Sequence, residues 1–219
     1  MLERVDVWEA PVRILHWIHV ASMGVLGFTG LYIAYPFIDA DDIAGVYLMG
    51  WVRFIHFSAA FVLAAAFLLR FYWFFKGNRY EHWRAWTPIG KPRWQALWKM
   101  LRYYLFIDSE RPNYIGVNPI AGLTYIGLGV LLVLQGITGF ALFSLPFPSG
   151  FWAGTFGWLI ILFGAQAVRL VHHVLLWLFV TFFIVHLYLA VLDDIEERSG
   201  GVVSIISGEK FEPVMEQKE

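Results

Sequence analysis

Seven histidines and no cysteine set the metal chemistry open to this sequence of 219 residues. Without Cys there is no disulfide, no thiolate iron–sulfur or zinc ligation and no C-x-x-C-H haem attachment. Any bound metal must therefore sit on imidazole nitrogen. Four histidines, His16, His56, His172 and His186, stand out within long apolar stretches. Histidine inside a membrane span is rare, and it usually faces the bundle interior and serves function.

His172 and His186 lie on one apolar stretch, fourteen residues apart. On a helix that is about 21 Å of rise and within roughly 40° of whole turns, so the two share a face at different depths. His173 is turned about 140° from His186 and points elsewhere. His16 stands near the start of the first apolar stretch and His56 near the start of the second, which runs back the other way. Depth then pairs His56 with His172 and His16 with His186.

Two imidazoles from two helices fill both axial positions of a b-type haem iron. No substrate can then reach the metal, and electron transfer is the chemistry left. Two such sites at two depths predict a wire across a membrane. A lone interior histidine is more often a hydrogen-bonded packing residue, but four at matching depths favour ligation.

Arg13, Arg53 and Arg169 each precede a candidate ligand by three residues. Each therefore shares its ligand's face one turn nearer water, where haem propionates need a cation. The competing reading is a snorkelling anchor at a span end. His19 reads as packing or as a support for His16, and His82 as a loop residue. Gly24, Gly27, Gly30, Gly136 and Gly139 read first as close helix contacts, although a macrocycle between helices needs the same lack of bulk.

The elements that must position these residues follow from composition. The chain is 59% hydrophobic and only 15% charged, with net charge -1 and mean hydropathy +0.61. Soluble domains carry about a quarter charged residues, so a cytosolic globular protein is excluded. With 16 Lys+Arg against 17 Asp+Glu there is no basic footprint for nucleic acid.

Gaps between charges give four spans, at about 14–38, 48–75, 119–145 and 170–192, each compared with the ~20 apolar residues that cross hydrocarbon as a helix. The segment from Phe151 to Val168 reads as an outer interfacial or re-entrant helix, because nothing resembling a turn separates it from the fourth span. Of the 16 Lys and Arg, all but Arg53 and Arg169 fall on one side, which places both termini in the cytoplasm. The first apolar run lacks a cleavage site and is expected to remain as a span. The loop from Gly77 to Asn118 mixes Trp and Tyr with Lys and Arg and reads as an amphipathic interfacial helix. The expected fold class is an all-α integral membrane protein, a four-helix transmembrane bundle over 1–195. A polar cytoplasmic tail over 196–219 is expected to order only against a partner.

Several segments carry a family resemblance: APVRILHW at 10–17, RFIHF at 53–57, RFYWFFKGNRY at 70–80, NPIAG at 118–122, TGFALFS at 138–144 and the run from His172 to Tyr188. Together they resemble the cytochrome b subunit of membrane-bound nickel–iron hydrogenases. The wider group includes formate dehydrogenase and b561-type cytochromes. The resemblance implies a bacterial inner-membrane di-haem subunit that anchors the small and large hydrogenase subunits and passes electrons to quinone. His16, His56, His172 and His186 match the family's ligand positions. Asn118 resembles an Asn at the quinone site of the related formate dehydrogenase cytochromes. The alternatives are the cytochrome of another quinone-linked dehydrogenase, a permease built on intramembrane histidines, and a cofactor-free anchor.

Overall fold

The computed structural model describes residues 2–37, 47–87, 90–110, 116–197 and 200–213. Helices α1 (Ala10–Ala34), α2 (Leu48–Lys76), α5 (Pro119–Phe143) and α7 (Trp158–Glu197) are long and apolar enough to cross a membrane. Only 11% of the most apolar window of each is buried within the protein, so lipid must cover most of their surface. The chain is a multi-pass membrane protein.

The boundaries have local causes. Helix α1 starts at Ala10, earlier than the apolar run, because Pro11 stands in its first turn, where a missing N–H costs nothing. It stops at Ala34, one residue before Tyr35, whose helical conformation is disfavoured by the following Pro36. The expected end of that span near residue 38 lies outside the described residues. Helix α7 runs beyond both expected ends of the fourth span. Before that span it is broken at Gly164, whose φ of 76° suits glycine alone. After it, Glu196 accepts a hydrogen bond from the Tyr103 hydroxyl at 2.8 Å, tying the charged last turns to the loop helix α4 (Lys91–Tyr104).

The segment read as interfacial divides into α6 (Phe151–Phe156) and the first turns of α7. Trp152 stacks on Phe140 with ring centroids 4.7 Å apart. Leu159 and Val168 are buried against Ala141 of α5. The segment thus folds back onto the end of α5.

The tail departs from expectation. It forms α8 (Gly201–Ser207) and β2 (Glu209–Pro213), and β2 pairs antiparallel with β1 (Leu2–Asp6), Asp6 opposite Glu209. The partner that orders it is the chain's own N-terminus. The Val7 and Trp8 amides donate to the Gly208 carbonyl at 2.8 and 2.9 Å. Trp8 Nε1 donates to Ser204 Oγ at 3.0 Å. The sequence signal was missed because a five-residue strand among charges has no periodicity of its own to display. With both ends of the chain in one sheet, the number of crossings is even. The two ends of the bundle are called below the sheet end and the distal end.

Helix α1 packs along α2, and α5 along α7, as two hairpins. Side chains bridge the seam between them: Phe57 meets Phe143 at 4.7 Å between centroids, and a Cβ on Gly27 would touch Leu176. The candidate histidines lie across this seam, with His16 and His56 on one hairpin and His172 and His186 on the other.

Candidate functional site

At the distal end, His56 of α2 and His172 of α7 are within electrostatic reach of each other. Each is held by a Thr-Gly pair on the neighbouring helix of its own hairpin. Thr29 Oγ1 lies 2.8 Å from His56 Nδ1, and Thr138 Oγ1 lies 3.0 Å from His172 Nδ1. A Cβ on Gly30 would stand 3.3 Å from His56 Cε1, and one on Gly139 only 3.1 Å from His172 Cε1. These two glycines, read from sequence as helix contacts, are the surfaces on which the imidazoles rest.

The threonines also fix the tautomer. A hydroxyl has one hydrogen. Thr29 gives its hydrogen to the Val25 carbonyl at 2.6 Å, and Thr138 gives its own to Leu134 at 2.9 Å. Toward histidine each threonine can only accept, so Nδ1 carries the proton and Nε2 keeps its lone pair. The carbonyls of Leu26 and Gln135 lie beside the same rings and favour the same tautomer. A metal-ligating histidine characteristically donates its other N–H in this way. Gln135 Nε2 sits 3.3 Å from His172 Nε2, while its own Oε1 is buried without a partner.

At the sheet end, His16 of α1 and His186 of α7 form the second facing pair. Neither ring makes a hydrogen bond among the described residues. Their neighbours are aromatic: Trp17 edge-on to His16 at 5.4 Å, and Phe182 stacked on His186 at 5.2 Å with Tyr125 at 6.2 Å. His19 and His173 bond to the Leu15 and Arg169 carbonyls of their own helices at 2.6 and 2.8 Å. His82 caps the short helix α3 (Trp83–Trp86).

The arginines divide. Arg53 is exposed and makes no hydrogen bond or ion pair among the described residues. Among the described residues the Arg169 guanidinium bonds to Gln166 Oε1 alone, at 3.4 Å. Arg13 is already engaged, with one guanidinium nitrogen on the Ile206 carbonyl at the end of α8. Sequence reasoning missed Arg70, which stacks on Trp86 at 4.8 Å and has Nη1 buried without a partner. It had been counted only as a charge at a span end. Asn118 caps α5, its Oδ1 accepting from the Ala121 amide at 2.7 Å, and its NH2 group makes no hydrogen bond among the described residues.

No group of three or more His, Asp or Glu converges as a metal cage among the described residues. A haem iron needs only two protein ligands, because the macrocycle supplies four. Imidazoles paired across a seam at two depths, the distal two with Nδ1 held by Thr-Gly cradles, fit that need.

Residues 7–208 match the family model described as prokaryotic cytochrome b561. The chain belongs to that family. It is 41% identical over 209 residues to the probable Ni/Fe-hydrogenase B-type cytochrome subunit of Azotobacter vinelandii, covering 93% of this chain and 87% of the relative. It is 36% identical to the protein of that name from Rhodobacter capsulatus, with 94% and 81% covered. Against the probable Ni/Fe-hydrogenase 1 B-type cytochrome subunit of Escherichia coli K12 the identity is 35%, with 92% and 88% covered. This member of the b561 family is a membrane cytochrome b with an electron-transfer role, and its cofactor is haem b.

Proposed function

We propose that the chain binds two b haems, one between His56 and His172 at the distal end and one between His16 and His186 at the sheet end. Electrons pass from the iron–sulfur small subunit of a nickel–iron hydrogenase to membrane quinone. The observation that carries the reading is the pair of facing histidine sets at two depths, about 21 Å apart along α7. Each haem supplies a one-electron couple. His56 with His172, and His16 with His186, would hold the iron, and an iron so ligated would leave no position for oxygen or substrate.

The basic residues stand overwhelmingly with the sheet, which makes the sheet end cytoplasmic in a bacterial inner membrane. The distal end is then periplasmic, and there α6 and the start of α7 expose Phe151, Ile161 and Phe163. This apolar surface suits docking of the small subunit, with the large subunit bound to it. Arg53 and Arg169, which make no ion pair among the described residues, are assigned to the propionates of the distal haem. Asn118, whose amide nitrogen makes no hydrogen bond among the described residues, is assigned to the quinone site beside the sheet-end haem. In membranes holding the chain and its hydrogenase, hydrogen should reduce b-type haem and added quinone should reoxidise it. A haem that hydrogen cannot reduce refutes the partner, and one that quinone cannot reoxidise refutes the acceptor.

A further inference from the structure

Glu81 is fully buried, yet it sits in a loop among polar residues at the sheet end. One carboxylate oxygen accepts the Glu9 amide at 2.6 Å, and the other is buried with no hydrogen-bond partner found among the described residues. Glu9, the N-cap of α1, is half-buried, and its own carboxylate accepts from Trp73 Nε1 at 2.6 Å. Gly77 makes room for this approach, since a Cβ there would stand 3.0 Å from Glu81 Oε2. The charged groups facing Glu81 are Glu9 from α1 and Arg70 from α2; beyond Arg70 lies His19, one turn from His16.

Two carboxyls in contact cannot both ionise at low cost, so the pair is built to share one proton. Burial first, and then the Glu9 carboxylate, pushes the Glu81 carboxyl up to about 7, against the pull of the Glu9 amide and of Arg70. Folding thereby raises its proton affinity, and the proton is released as pH rises through neutrality. Half-buried Glu9 gives the pair access to water, and Arg70 lies within electrostatic reach of both Glu81 and His19.

We propose that Glu81 and Glu9 are a one-proton loading site that feeds the reduction of quinone at the sheet end. The inference rests on the function proposed above. Quinone becomes quinol by taking two electrons, drawn from hydrogen through the haems, and two protons. Each proton passes from water to Glu9, to Glu81 and on to the reduced quinone, and the pair reloads between the two.

The test compares the assembled wild-type complex with Glu81→Gln and Glu9→Gln. Glutamine at 81 keeps an acceptor for the Glu9 amide but cannot titrate. Infrared spectroscopy across pH should show a protonated-carboxyl band that disappears near pH 7 in the wild type. The band should be missing in Glu81→Gln and should titrate lower in Glu9→Gln, where the neighbouring charge is gone. Quinone reduction should fall roughly tenfold or more in Glu81→Gln with haem content and hydrogen-driven haem reduction unchanged. An unchanged rate, or a band that survives in Glu81→Gln, overturns the proposal. The band titration needs neither haem nor quinone. Its presence in a wild type that cannot reduce quinone would refute the acceptor while upholding the proton site.

Discussion

Thr138→Val removes one hydroxyl and keeps the side-chain shape. Thr138 is 5% exposed, and the hydroxyl serves two carbonyls of its own helix, those of Leu134 and Gln135, as well as His172. The carbonyls retain their helical N–H partners, so the loss falls on His172 Nδ1–H. A buried donor left without its acceptor costs about 1–3 kcal/mol. Loss of a comparable supporting bond weakens metal sites about 10- to 100-fold, which is about 1.4–2.7 kcal/mol and agrees. The Gln135 carbonyl beside the ring can partly replace the lost acceptor for Nδ1–H, so the lower half of that range is expected. Thr29→Val should act likewise through His56. The control is Thr181→Val on α7, whose hydroxyl bonds only the Trp177 carbonyl, at 2.9 Å, and touches no histidine. Haem content is to be read by pyridine haemochrome during titration with a competing apo-haemoprotein. The two distal variants should each lose the distal haem more readily, with the sheet-end haem and the control unaffected. Equal loss of both haems, or equal behaviour of all three variants, would refute the assigned role of the Thr-Gly cradles.

Replacing Arg53 or Arg169 by Gln should lower the midpoint potential of the distal haem and leave the sheet-end haem nearly unchanged, because a nearby cation favours the reduced, less positive iron; a redox titration with equal shifts at both haems returns these residues to simple anchors. Asn118→Ser keeps a cap for α5 but removes the amide, so it should retain both haems and lose hydrogen-dependent quinone reduction. Asn118→Ala should additionally cost about 1 kcal/mol of stability through the lost cap. Ser207, exposed at the end of α8, can be replaced by Cys in a chain that has no other. That thiol should react with impermeant reagents only from the cytoplasmic side, and periplasmic labelling would invert the bundle.

The spans were legible because they rest on apolar length and helical geometry that tertiary packing does not alter, and the shared face of His172 and His186 is argued from the same arithmetic. The span ends were less so, since Pro11, Pro36 and Gly164 set them locally, while apolar content reports only the thickness of hydrocarbon. The repeated Thr-Gly dipeptide, at 29–30 and 138–139, was in plain view, but its meaning depends on which helix lies opposite, and sequence periodicity does not encode that. Arg70 and Glu81 were invisible for a related reason. Each looks like an ordinary charge near a membrane surface, and only the packing of α1 against the loop after α2 buries them. Arg13 shows the converse: its spacing from His16 suits a propionate, yet the unforeseen tail helix supplies a carbonyl first.

The central claim is that four histidines hold two haems in one chain. Purified subunit should give a pyridine haemochrome to protein ratio near two. His172→Ala and His186→Ala should each remove one haem, the first at the distal end and the second at the sheet end. A ratio near zero, or a ratio of two that survives both substitutions, would contradict the account.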